Sequence, residues 1–254
     1  MTDQIAARPP ASQVSAWLWG LVSTALLAAY IAWNMGWVAG VAAVVGVFVH
    51  EYGHVLAINA LGSGPGRIHI IPFFGGAATM RKPPSSDFNG VLIALAGPVF
   101  GLIAMAPFFL AYAFTDDNRW IGGAMFIAGM NLLNLVPVPP LDGSKALGPA
   151  LARIHPWLER GVLLVLAAIG LYWALTRGQI AIAVVVGLGA VRVFRPEPLR
   201  PASAPLTLAQ WGATIGLYAI ALTLCIAAVA IMMNVGFNFD AQSVRSLVAS
   251  FGGR

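Results

Sequence analysis

Charge is what this 254-residue chain has least of. Asp, Glu, Lys and Arg together make up 9% of it, and 59% is hydrophobic. A soluble domain carries roughly 25% charged residues. With a mean hydropathy of +0.82, the chain cannot cover a water-facing surface, so a soluble domain is excluded and an integral membrane protein is expected. Cysteine is nearly absent: Cys225 stands alone, which excludes an internal disulfide and any cysteine-rich zinc site. No internal repeat is visible, unlike the paired halves of many transporters. The net charge of +5 does not point to nucleic acid, because most basic residues lie in short loops between apolar runs, where membrane topology explains them. No small-residue cleavage site follows the first apolar run, which carries Trp17, Trp19 and Trp33. That run is expected to be a retained span and not a cleaved signal peptide.

What is present is apolar sequence in span-sized pieces. Windows fall at roughly 15–33, 37–61, 89–114, 119–138, 158–176, 178–194 and 207–234, each about long enough to cross a bilayer. The expected fold is an all-α polytopic membrane protein of about six to seven helices. Trp17, Trp19, Trp33, Trp37, Trp120, Trp157, Trp173 and Trp211 sit near window ends, as in an interfacial belt. The Lys and Arg bias puts the N-terminus in the cytoplasm. The chain divides into an N-terminal tail and first span (1–36), a core (37–150), C-terminal spans (151–236) and a tail (237–254). That tail reads equally as a short interfacial helix or as a frayed end.

Two stretches break the pattern. Residues 64–82 mix β-branched and aromatic residues with Pro and Gly-Gly, which predicts a strand or hairpin. An edge of that kind either docks an extended peptide or lies as a loop at the interface. Further on, Pro137, Pro139 and Pro140 must break the helix that begins near Trp120, since each lacks an N–H. Asp142 follows the break directly.

The chemistry concentrates at His50-Glu51-Tyr52-Gly53-His54, inside the second apolar window. On a helix, H-E-x-x-H sets two imidazoles on one face at metal-binding distance, with the Glu beside them. Ionisable groups at membrane depth are costly and usually functional. A catalytic zinc site commonly takes three protein ligands. His69 and His155 read as interfacial histidines, and most of the nine acids lie in tails or at span ends. Asp142 alone combines a broken helix with an apolar approach, although it also suits a helix cap.

At these residues the chain resembles the site-2 protease family of intramembrane zinc metalloproteases (peptidase family M50). The family pattern is H-E-x-x-H on one span and N-x-x-P-x-x-x-L-D-G on a later one. Here the second element is Asn134-Leu135-Val136-Pro137-Val138-Pro139-Pro140-Leu141-Asp142-Gly143. Ala96-Gly97-Pro98 looks like the family's A-G-P element, and Gly75-Gly76-Ala77 like its membrane hairpin. The resemblance covers roughly 37–150. It implies one Zn2+ held by His50, His54 and Asp142, Glu51 as general base, and Asn134 as a polar helper near the reacting oxygen. Asn134 equally suits a backbone carbonyl freed by the prolines. It implies a hairpin, with Ile70, Phe73, Gly75 and Gly76, that receives substrate, and a substrate with a single transmembrane helix. Ser144 stands where a Gly often follows L-D-G, and Gly101 where a polar residue often follows A-G-P. No PDZ-like insertion separates the motifs and no CBS-type domain follows the last span, as in a compact member.

The expected activity is therefore zinc-dependent hydrolysis of peptide bonds in or near the cytoplasmic half of a cell membrane. Two other classes remain open on sequence: a membrane zinc hydrolase of lipid or prenylated substrates, and a non-enzymatic transporter or scaffold.

Overall fold

The computed structural model describes residues 13–71, 75–195, 197–200 and 203–238. Phe73 and the tail beyond Asn238 lie outside them. The order is α1 (Gln13–Met35), α2 (Trp37–Ala60), β1 (Arg67–Ile71), β2 (Gly75–Thr79), α3 (Asp87–Ile103), α4 (Ala106–Thr115), α5 (Asn118–Asn134), α6 (Asp142–Ile154), α7 (Pro156–Thr176), α8 (Ile180–Phe194) and α9 (Leu208–Asn238). This is a helical membrane protein with one small hairpin. Among the described residues, four stretches are both long and apolar enough to cross a bilayer: Trp37–Ala60, Asp87–Thr115, Pro156–Thr176 and Leu208–Val235. The other three expected windows also form helices. Their described apolar parts are shorter: Val22–Met35 in α1, Ile182–Phe194 in α8, and in α5 the 17 residues that end where the prolines begin.

The helix boundaries follow from local chemistry. Gly36, at φ 91°, is the single residue between α1 and α2, a backbone conformation that side chains disfavour. Ser86 caps α3 by accepting from the Asn89 N–H at 3.1 Å. The window at 89–114 is one apolar run with an internal break, so α3 and α4 follow each other through Ala104 and Met105. The predicted strand element is an antiparallel pair whose register runs from Arg67 opposite Thr79 to Ile71 opposite Gly75.

α2 is the hub. It packs on α1, α3, α5 and both strands. Gly53, in the middle of the motif, lets α3 come close: a Cβ there would stand 2.7 Å from the Ala96 carbonyl oxygen. The main core joins α2, α4, α5 and α9 through Val38, Ala42, Phe108, Tyr112, Ile121, Ile127 and Met232. A second cluster joins Val91, Leu95, Leu135, Ala146, Ala221 and Cys225. The last helix thus packs directly on α3, α5 and α6.

The proline segment folds as tight turns between α5 and α6. Pro139 has no N–H to offer the Leu135 carbonyl. Tyr218, on α9, donates its hydroxyl to that oxygen at 2.6 Å instead. Gly143 fits in the same corner, where a Cβ would fall 2.0 Å from it.

Candidate metal centre

His50 and His54 occupy successive turns of α2, and Asp142 is the first residue of α6. All three are buried. The Asp142 carboxylate does not cap its helix. Its Oδ2 lies 3.0 Å from His50 Nε2 and 3.0 Å from His54 Nε2, and the two Nε2 atoms are 3.2 Å apart. Among the described residues, this is the group whose donor atoms could hold one metal ion.

Hydrogen bonds outside the cluster decide which atoms face inward. The Ile93 carbonyl oxygen lies 2.7 Å from His54 Nδ1. A carbonyl only accepts, so Nδ1 carries a proton, and in the neutral ring Nε2 presents a lone pair. His50 Nδ1 lies 2.9 Å from Asn131 Oδ1, and Asn131 Nδ2 donates to the Ile127 carbonyl at 2.8 Å. That second bond orients the amide, so His50 also carries its proton on Nδ1. With both rings neutral, two imidazole lone pairs and a carboxylate oxygen therefore point at one another. No proton bridges them in these tautomers, and a cation among them removes the repulsion. Tetrahedral zinc ligands at about 2.0–2.1 Å stand roughly 3.3 Å apart, close to the spacings here. The donor set fits zinc.

Glu51 lies outside that trio. It is 7% exposed, and its Oε2 has no hydrogen-bond partner among the described residues. Strand β2 covers it: a Cβ at Gly76 would stand 2.5 Å from Glu51 Cγ. Gly97, from Ala96-Gly97-Pro98, faces the imidazoles: a Cβ there would lie 2.3 Å from His54 Nε2 and 2.9 Å from His50 Nε2. Lys145, one turn into α6, donates to Asp142 Oδ1 at 2.8 Å, which leaves Oδ2 for the cluster.

Other sequence candidates fall elsewhere. Asn134 is half-buried and donates to the Met130 carbonyl at 3.2 Å, one turn back on its own helix. That carbonyl is not one of those freed by the prolines. Ile70 lies in β1 and Gly75 and Gly76 in β2, and Gly76 is the one already placed against Glu51. Exposed His69 lies in β1, while His155 accepts from the Trp157 N–H at the start of α7. Sequence reasoning missed Asn131, Lys145 and the Ile93 carbonyl. A polar Asn131 in an otherwise apolar helix was a signal that could have been followed. A backbone carbonyl leaves none.

No family model matches the chain. A "putative zinc metalloprotease" of Synechocystis sp. is 27% identical over 139 residues, covering 52% of this chain and 36% of that protein. A zinc metalloprotease of Methanocaldococcus jannaschii is 30% identical over 122 residues, covering 45% of this chain and 34% of that protein. The match thus spans about a third of each relative's length. Among solved structures, the site-2 protease of Methanocaldococcus jannaschii aligns with TM-score 0.51 and 22% identity, over 71% of this chain and 92% of that one. The chain has the fold of a site-2 protease, which agrees with the resemblance carried by its motifs.

Proposed function

We propose that this chain is an intramembrane zinc metalloprotease. His50, His54 and Asp142 hold one zinc ion, and Glu51 is the general base. The observation that carries the reading is the set of three inward lone-pair donors, 3.0–3.2 Å apart, with both imidazoles turned by acceptors on their far sides. When bound, zinc supplies a positive charge that polarises a carbonyl and eases deprotonation of water.

The rest of the work belongs to the chain. Glu51 Oε2, buried and unpartnered, takes the proton from the attacking water and returns it to the leaving amine. Gly76 and Gly97 keep the space around base and ligands free of side chains. The β1–β2 pair has outer edges that no described strand covers, and an opened substrate segment adds to one of them. The substrate is a membrane protein with a single transmembrane helix, cleaved in or near the cytoplasmic half of the bilayer, with the N-terminus of the enzyme in the cytoplasm.

The test is membrane proteomics of cells carrying wild type or Glu51→Gln, combined with zinc analysis of both purified proteins. A truncated membrane protein found only with wild type, at equal zinc content, is the expected result. Identical membrane proteomes would overturn the proteolytic reading.

A further inference from the structure

We propose that Asn131 and Gly101 form a positioning pair that sets the tautomer and aim of His50, and through it the metal affinity of the site. The inference rests on reading His50 as a metal ligand.

Asn131 is fully buried on α5, 0% exposed. Its amide lies between two partners of opposite need. On one side is the Ile127 carbonyl, which can only accept, and the amide NH2 meets it at 2.8 Å. On the other is His50 Nδ1, 2.9 Å from Oδ1. Because the first contact fixes which end of the amide points where, the second can form only with a proton on Nδ1. A neutral imidazole has one ring proton, so Nε2 is left as a lone pair toward Asp142 and His54. Rotating or removing the amide releases the ring to the other tautomer, whose Nε2–H points into the cluster.

Gly101, on the facing helix α3, reserves the place for that amide. A Cβ at Gly101 would fall 2.0 Å from Asn131 Oδ1 and 2.6 Å from Nδ2. No side chain fits there while Asn131 keeps its position. Gly101 thus makes room for the amide, and the Ile127 carbonyl decides which way it points. His54 needs no such pair, because a backbone carbonyl from Ile93 orients it. His50 is the ring whose orientation a single side chain controls.

A purely structural role for Asn131, as an interhelical staple, would leave the ring's tautomer untouched. The experiment therefore reads both tautomer and affinity in the full-length protein in detergent. The first measurement is 15N NMR of the histidine rings in metal-free protein, with His50 assigned by its loss in His50→Ala. The second is zinc affinity by competition with a chromogenic chelator. Asn131→Leu is expected to weaken zinc binding on the order of 10- to 100-fold and to move His50 away from a pure Nδ1–H form. Gly101→Ala, which changes no polar group, is expected to act in the same direction. Asn131→Asp, a neutral carboxyl when buried, keeps an acceptor toward His50 and is expected to stay within a few-fold of wild type. Should Asn131→Leu fail to fold, Gly101→Ala and Asn131→Asp carry the comparison. Wild-type affinity and an unchanged ring in Asn131→Leu and Gly101→Ala overturn the pair. So do equal losses in the Leu and Asp variants, which would make Asn131 a packing element. If wild type itself holds no zinc, the metal-ligand reading fails, while the ring spectra still decide whether the pair sets the tautomer.

Discussion

At the scale of single residues, Glu51 separates chemistry from metal binding. It lies beside the ligand trio without belonging to it, so Glu51→Gln should retain one zinc per chain and lose turnover by about 10²-fold or more; metal analysis and a cleavage assay on the same preparation check this. Gly97 and Gly76 are the converse probes. In Gly97→Ala the new methyl would stand 2.3 Å from His54 Nε2, so zinc content itself should fall. In Gly76→Ala the methyl would stand 2.5 Å from Glu51 Cγ, so zinc should stay and turnover should drop. Zinc loss in the second variant and not the first would reverse this assignment of the two glycines.

Elements come next, because Asp142 reaches the histidines only if the corner between α5 and α6 is held. Three attachments hold it. Tyr218 donates to the Leu135 carbonyl, Gly143 lets α6 close against that carbonyl, and Gly189 admits α8 against the Pro139 carbonyl oxygen. Tyr218→Phe keeps the ring and removes one hydrogen bond to a buried carbonyl. It should lower stability by about 1–3 kcal/mol and weaken zinc binding with it, measured by chemical unfolding in detergent and chelator competition. At the other end of α5, Asp117 accepts from the Arg119 N–H and guanidinium, and that guanidinium holds the Asp117 carboxyl below its ordinary value. Its folded-state pKa is depressed, so its contribution is present above the unfolded value of about 3.9 and is lost as pH falls further. Arg119 is exposed and Asp117 only half-buried, so the effect on acid unfolding should be small, and Asp117→Asn should flatten it.

For the whole molecule, the site is a junction of α2, α3, α5 and α6, with α9 packed behind three of them. Metal binding should therefore report on the global fold. Zinc at 100 times its dissociation constant should stabilise the protein by about 2.7 kcal/mol relative to the chelator-treated form, seen as a higher thermal midpoint in detergent. His54→Ala should abolish that difference. An equal response to zinc in wild type and His54→Ala would place the ion elsewhere.

Much of this was legible without coordinates, for a physical reason. Apolar run length, proline breaks and the i, i+4 spacing of His50 and His54 are local properties of the chain. They fixed the helical membrane class, the break before Asp142 and the two imidazoles on one face. The hairpin was also local, written in Gly, Pro and β-branched residues between 64 and 82. What depends on distance in space was not legible. Asn131, not Asn134, meets His50, because the rotation of α5 against α2 selects between two asparagines three residues apart. The roles of Gly76, Gly97 and Gly101 exist only once another element approaches, since a glycine's missing side chain matters through its neighbour. The tautomers of both histidines are set by a carbonyl and an amide that no spacing rule reaches, and only tertiary packing decided them.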